Sequence, residues 1–180
     1  FKERTFGTYS PEALYQACDM LYDGYWQHWE YFDQCRDTLL REFSLSKPLD
    51  TRNAALFGRL AASDSSVAIH VRRGDFLNKR LYRGLCGADY YMRAVAAAKA
   101  VVGDNADFFC FSNDADWCLH NLTPMVGADR LHVIEWNVGA DSHKDMMLMS
   151  ACRVNIIANS SFSWWAAYLN RRDDKAVIAT

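Results

Sequence analysis

Two adjacent arginines and a glycine, Arg72-Arg73-Gly74, stand at the end of the apolar run Val67-Ala68-Ile69-His70-Val71. A guanidinium is a planar fork that makes paired, charge-assisted hydrogen bonds to phosphate oxygens. A glycine beside it lets the backbone come close to a ligand. The group therefore suits a phosphate partner, with a solubilising surface turn as the competing reading. An adhesive loop built on Arg73-Gly74-Asp75 fits less well, because the tripeptide is joined to a strand-like run. A second apolar run, Ile156-Ile157-Ala158, passes into Asn159-Ser160-Ser161-Phe162-Ser163 and then Trp164-Trp165. Ser160 or Ser161 is suited to cap a helix there, and the free amides of a helix start hold anions. An ordinary capped helix with both tryptophans in the core explains the same residues. Asn159-Ser160-Ser161 also spells a glycosylation sequon, which we discount beside a buried strand. Together the two run ends supply the parts of a diphosphate site.

Two acidic positions accompany them. Asp145, in Asp145-Met146-Met147-Leu148-Met149, could cap its helix or accept hydrogen bonds from a base edge such as that of guanine. The methionines around it read as core. Asp114-Ala115-Asp116 is an Asp-x-Asp of the kind that holds a divalent ion to a diphosphate. It follows Ser112-Asn113, however, and acidic residues are favoured in a first helical turn. With arginines at hand to neutralise phosphate, we expect no metal. No Walker loop, dinucleotide glycine motif, Gly-x-Ser-x-Gly elbow or His-Glu-x-x-His helix occurs in the chain. His28, His120, His132 and His143 are scattered, and none is read as a ligand.

These residues need a scaffold, and its pattern is legible. From Val67 onward short apolar runs alternate with helical ones: strands at 67–71, 107–111, 131–134, 154–158 and 176–179, and helices at 89–102, 114–121, 142–151 and 161–170. Apolar strands separated by helices predict a parallel sheet covered on both faces, an α/β Rossmann-like domain. In such sheets ligands bind beyond the carboxyl ends of the strands, where both polar clusters fall. Residues 10–47 read as mainly helical, followed by a helix at 52–62, and the polar Ser63-Asp64-Ser65-Ser66 marks the boundary. We therefore expect two parts, 1–63 and 64–180.

Composition narrows the function further. Of 180 residues 51% are hydrophobic, so a sizeable core can form, and the net charge of -2 argues against nucleic acid as a partner. The six cysteines, Cys18, Cys35, Cys86, Cys110, Cys118 and Cys152, form no Cys-x-x-Cys pair and mostly lie in apolar runs. They read as reduced and mostly packed, as in a cytosolic protein. No apolar run approaches the ~18–20 residues of a membrane span. The chain opens at Phe1 without methionine and stops just after a strand-like run, and we expect it to be a fragment.

The same motifs resemble the α-1,2-fucosyltransferases of glycosyltransferase family eleven. The likeness runs in order through Asp23-Gly24-Tyr25-Trp26-Gln27, Val67 to Asp75, Tyr82-Arg83-Gly84-Leu85-Cys86, Tyr90-Tyr91 and Phe111-Ser112-Asn113-Asp114. It continues through Glu135-Trp136-Asn137 and from Asp145 to Leu169. Asn113 stands where the family more often has an acidic residue, and the family's Gly-rich N-terminal segment is absent. The resemblance implies a metal-independent, inverting transfer of fucose from GDP-fucose to the 2-hydroxyl of a terminal β-galactoside. It implies a GT-B-type enzyme, with 64–180 as the GDP-fucose-binding donor domain and 1–63 as part of the acceptor-side domain and its linker helices. Arg72 would bind the β-phosphate, His70 and Asp145 the guanine, and Ser161 the diphosphate. Arg73, Gly74, Asp114, Asn159, Ser160 and Phe162 complete the expected binding set. Asp75 is the candidate general base, with orientation of the arginines as its other role. No cofactor is implied. The expected location is cytoplasmic, with peripheral attachment to the inner face of a bacterial membrane left open. The alternatives are a transferase for another GDP-sugar or linkage, or a non-catalytic GDP-sugar or glycan-binding module.

Overall fold

The computed structural model describes residues 1–15, 19–74 and 84–180. They form two compact units, Phe1–Ser46 and Lys47–Thr180.

In the larger unit five strands lie side by side, all parallel, in the order β3-β2-β1-β4-β5. They are β1 (Ser66–Val71), β2 (Asp107–Ser112), β3 (Leu131–Ile134), β4 (Val154–Ile156) and β5 (Ala176–Ile178). The central β1 is buried along its whole length, as an uninterrupted apolar run must be when helices cover both faces. Its register sets Val67 beside Phe108 of β2 and Val154 of β4. This is the expected α/β parallel sheet.

Alternation along the strands builds two cores. Val67, Ile69 and Val71 meet Tyr91, Ala94, Cys118 and Leu122 from α4 (Ala88–Val102) and α5 (Ala115–Val126). On the opposite face Ala68, Phe109 and Phe111 meet Leu60, Leu148 and Ala166. These last three come from α3 (Thr51–Ala62), α6 (His143–Ser150) and α7 (Ser161–Leu169). Each buried valine, leucine, isoleucine or phenylalanine among them contributes roughly 1.5–3 kcal/mol. Helix α3 starts on Asp50, whose carboxylate accepts from the Asn53 amide at 3.0 Å. The polar 63–66 stretch carries α3 into β1, with the Ser66 hydroxyl donating to the carbonyl of Leu60 (3.2 Å) or Ser63 (3.3 Å). Two tyrosines of α4 tie the far ends of the strands. Tyr91 donates to the His70 carbonyl at 2.9 Å, and Tyr90 to the Ile157 carbonyl at 2.6 Å.

The Phe1–Ser46 unit is less helical than its sequence suggests. Its described helical segments are a single turn at Pro11–Ala13, α1 (Glu30–Asp33) and α2 (Arg36–Glu42). The aromatics scattered through Tyr22 to Phe32, in the stretch that reads as mainly helical, pack on one another instead. Trp26 has Tyr22 at 5.5 Å and Tyr31 at 5.7 Å, both edge-on, and its own backbone is left-handed at φ 54°. Such a φ is incompatible with an α-helix passing through Trp26.

Candidate functional site

The carboxyl edge of the sheet gathers the polar residues. On β1 the alternation that buries Ala68 toward α6 and α7 sends His70 to the same side, where its ring lies 5.4 Å from that of Phe162. His70 is only 6% exposed, and its Nδ1 has no hydrogen-bond partner among the described residues. Burial, with the Arg72 charge adding to it, holds the imidazole down at about 3, so it is neutral at physiological pH. A neutral ring can donate from one nitrogen and accept at the other, which suits a heterocycle better than a phosphate. A buried, unpartnered nitrogen costs about 1–3 kcal/mol unless something bonds to it.

The two arginines go separate ways. Arg72, partly buried, stays close enough to His70 to act on its proton. Arg73 turns toward α5. Its Nε donates to Asp114 Oδ2 at 3.0 Å, and its guanidinium lies 4.6 Å from the Trp117 ring centre. The Asp114 carboxylate is doubly engaged, because it also caps α5 by accepting from the Trp117 amide at 3.1 Å. Asn113 Oδ1 accepts from the Arg73 backbone amide at 3.0 Å, an acceptor's task that an amide oxygen performs as well as a carboxylate would. Gly74 is required here for its shape. Its φ is +37°, and a Cβ would stand 2.5 Å from Asn113 Nδ2. Asp116 is exposed in the first turn of α5. Among the described residues no group of three or more His, Cys, Asp or Glu is arranged to hold a metal ion. Asp75, with Tyr82 and Arg83 of the motif after it, lies outside the described residues.

Where β4 runs out, Ile157 and Ala158 leave the strand and Asn159 is exposed, its amide donating to Cys86 Sγ at 3.4 Å. Ser160 takes the N-cap position of α7 in extended geometry, but its side chain makes no capping hydrogen bond. The turn is held from within by buried Ser163, whose hydroxyl reaches the carbonyls of Ala158 and Ser160 at 3.2 Å each. Ser161, exposed, begins the helix, so the first amides of α7 are presented without a side-chain cap. Trp164 and Trp165, expected in the core, are only partly buried and pack edge-on at 5.0 Å.

Asp145 lies in the first turn of α6, tied into a network of amides that the sequence did not reveal. Its Oδ1 accepts from Asn137 Nδ2 at 2.7 Å. Asn137 and Asn53 exchange two hydrogen bonds of 2.9 Å each, and Asn53 Nδ2 also donates to Asp50 at 2.7 Å. Burial pushes the Asp145 carboxyl up to about 6, and the Asn137 bond works against that rise. Asn53 and Asn137 are 84 residues apart, which no local spacing could signal. Glu135-Trp136-Asn137 stood out only as part of a family likeness.

A five-stranded parallel sheet in this order, covered by helices on both faces, is a Rossmann-like α/β domain. The chain belongs to glycosyl transferase family 11, whose family model matches residues 13–180. It is 34% identical over 161 residues to an alpha-1,2-colitosyltransferase of Escherichia coli, covering 87% of this chain and 53% of that protein. It is 29% identical to the O-antigen biosynthesis glycosyltransferase WbnK of Escherichia coli, over 86% of this chain and 52% of the relative. With galactoside alpha-(1,2)-fucosyltransferase 1 of Homo sapiens it shares 27%, over 78% of this chain and 40% of the relative. The chain thus spans about half the length, or less, of these curated relatives. Among solved structures, POFUT1 in complex with GDP superposes with a TM-score of 0.47 at 12% identity, over 72% of this chain and 46% of that one. No described helix is long and apolar enough to cross a membrane.

Proposed function

We propose that residues 64–180 form the donor domain of a GT-B-type inverting α-1,2-fucosyltransferase that moves L-fucose from GDP-fucose to the 2-hydroxyl of a terminal β-galactoside. Residues 1–63 belong, in this reading, to the acceptor-side domain and its linker helices, of which α3 packs onto the sheet through Leu60. The observation that carries it is the meeting, at one sheet edge, of buried His70 with an unpartnered Nδ1, Arg72 beside it and the uncapped start of α7 with Phe162 against the imidazole. Arg72 and the amides at Ser161 take the diphosphate. His70 and Asp145 take the guanine, whose ring N–H and amino group are donors that a carboxylate accepts. Arg73 and Asp114 hold the β1 and β2 ends in place rather than touching phosphate, since each is already engaged with the other.

Transfer then follows from charge. The acceptor oxygen attacks C1 of fucose on the face opposite the diphosphate, the C1–O bond breaks, and GDP departs with its added negative charge stabilised by Arg72. The hydroxyl proton goes to a general base, for which Asp75 remains the candidate. No metal is assigned to this step. Relatives named for α-1,2 transfer support the linkage more strongly than the sugar, because one is named for colitosyl and another for fucosyl transfer. A colitosyl donor is therefore the second reading. The Escherichia coli relatives are what supports a cytoplasmic location.

The test is to incubate the full-length protein with GDP-fucose and a terminal β-galactoside and to assign the product by NMR. Fucose α-linked to galactose O2 is expected. Product linked elsewhere, or turnover only with a colitosyl donor, would overturn the specific reading.

A further inference from the structure

The amide network around Asp145 is saturated, and this gives it a directional role. Asn53 Oδ1 accepts from Asn137 Nδ2 at 2.9 Å and from Trp136 Nε1 at 3.0 Å. Asn53 Nδ2 gives its two hydrogens to Asp50 Oδ2 and Asn137 Oδ1. Asn137 Nδ2 gives its two to Asn53 Oδ1 and Asp145 Oδ1. Neither amide can flip without setting donor against donor, so the orientation of both is fixed. Lys144, the neighbour of Asp145, closes the circuit by bonding Asp50 Oδ2 at 3.1 Å. The circuit therefore runs from the start of α3, through the segment after β3, to the first turn of α6 and back. Asn53 and Asn137 are 1% and 7% exposed, so water competes little for these bonds.

What the circuit leaves over is one carboxylate oxygen. Asp145 Oδ1 is held by Asn137, whereas Oδ2 accepts no hydrogen bond among the described residues, and Asp145 is only partly buried. We propose that Asn137 is a positioning residue for base recognition, tying down one oxygen of Asp145 so that the other meets the donor edge of the nucleotide base. This rests on the reading above that Asp145 faces the base. Guanine offers a ring N–H and an amino group side by side, and hypoxanthine offers the N–H alone. Adenine places an acceptor where guanine has its N–H, so a fixed carboxylate oxygen repels it. Selectivity then depends on how firmly the oxygen is aimed, which is the task of Asn137 and, behind it, Asn53.

The experiment titrates GDP, IDP and ADP into the full-length protein by calorimetry, for wild type, Asn137→Ala, Asn137→Ser and Asp145→Asn. A purely structural loss lowers the folded fraction and weakens all three nucleotides alike, leaving the GDP:ADP affinity ratio unchanged. A positioning loss narrows that ratio. The Ala variant should lower it by about tenfold, as expected for one charge-assisted hydrogen bond. The Ser variant, which keeps one hydroxyl donor and is the gentler change, should recover part of the ratio. If Asp145→Asn collapses the ratio but both Asn137 variants keep the wild-type value, the positioning role is overturned while the base assignment stands. If Asp145→Asn also keeps the wild-type ratio, the base assignment of Asp145 falls, and the role of Asn137 falls with it.

Discussion

Replacing His70 by glutamine should remove a large share of the acid sensitivity of the fold between pH 7 and pH 5. In the folded chain this histidine titrates at about 3 instead of its ordinary 6.5, chiefly because it is buried. Between those two values the unfolded chain binds a proton that the folded chain refuses. Stability contributed by the neutral ring is therefore complete above pH 6.5 and is lost as the pH falls toward 3. At pH 5 the unfolded state gains about 2 kcal/mol from protonating this one side chain. Asp145 works in the opposite sense. Its folded carboxyl is raised to about 6 from 3.8, so acidification through that range favours the folded state and masks part of the histidine effect. The quantity to measure is therefore a difference of differences. Urea unfolding of wild type and His70→Gln at pH 7 and at pH 5 gives two stability losses, and the wild-type loss should exceed that of the variant by about 2 kcal/mol. Constant costs of the substitution cancel in that subtraction. Equal losses in the two proteins would refute the claim that His70 is buried and neutral.

Other outcomes follow from the same geometry. Gly74→Ala should destabilise the fold by about 1–3 kcal/mol in urea unfolding, from the left-handed backbone and the Cβ set 2.5 Å from Asn113 Nδ2. Asp114→Ala removes a helix cap and the partner of Arg73, with an expected loss of about 1–2 kcal/mol by the same assay. GDP-fucose affinity in the full-length protein should not change between EDTA and magnesium, measured by calorimetry, because Asp114 is engaged by Arg73 and Trp117. Tyr91→Phe strands the buried His70 carbonyl and should cost about 1–3 kcal/mol in thermal or urea unfolding.

The sheet was legible because each of its strands is a short, near-continuous apolar run separated from the next by a helical one. The end of α5 was not. The helix is expected to stop at 121, yet α5 continues through Pro124 to Val126. Its Cys118, Leu122 and Val126, spaced four apart, bury against the sheet and outweigh the single backbone hydrogen bond that proline forgoes. The aromatic stretch from Tyr22 to Phe32 misled for the converse reason, since large rings can be satisfied by clustering without any helix. Residue types pointed to the carboxyl edge of the sheet, where the β1 and β4 segments do end, but not to how neighbours divide their work. Arg72 and Arg73 look alike in sequence, and only the turn after Val71 sends one toward His70 and the other to Asp114 and Trp117. The Asn53–Asn137 pair depends on the packing of α3 against α6, which composition does not report.

The most direct test of the donor-site reading is GDP-fucose binding to the full-length protein in EDTA, wild type against Arg72→Ala, with circular dichroism to verify that both are folded. Binding by wild type and a loss of roughly tenfold to a hundredfold in the variant is the predicted result, as for removal of a charge-assisted contact. Equal affinity in a folded Arg72→Ala protein would contradict the assignment of the diphosphate to this edge of the sheet.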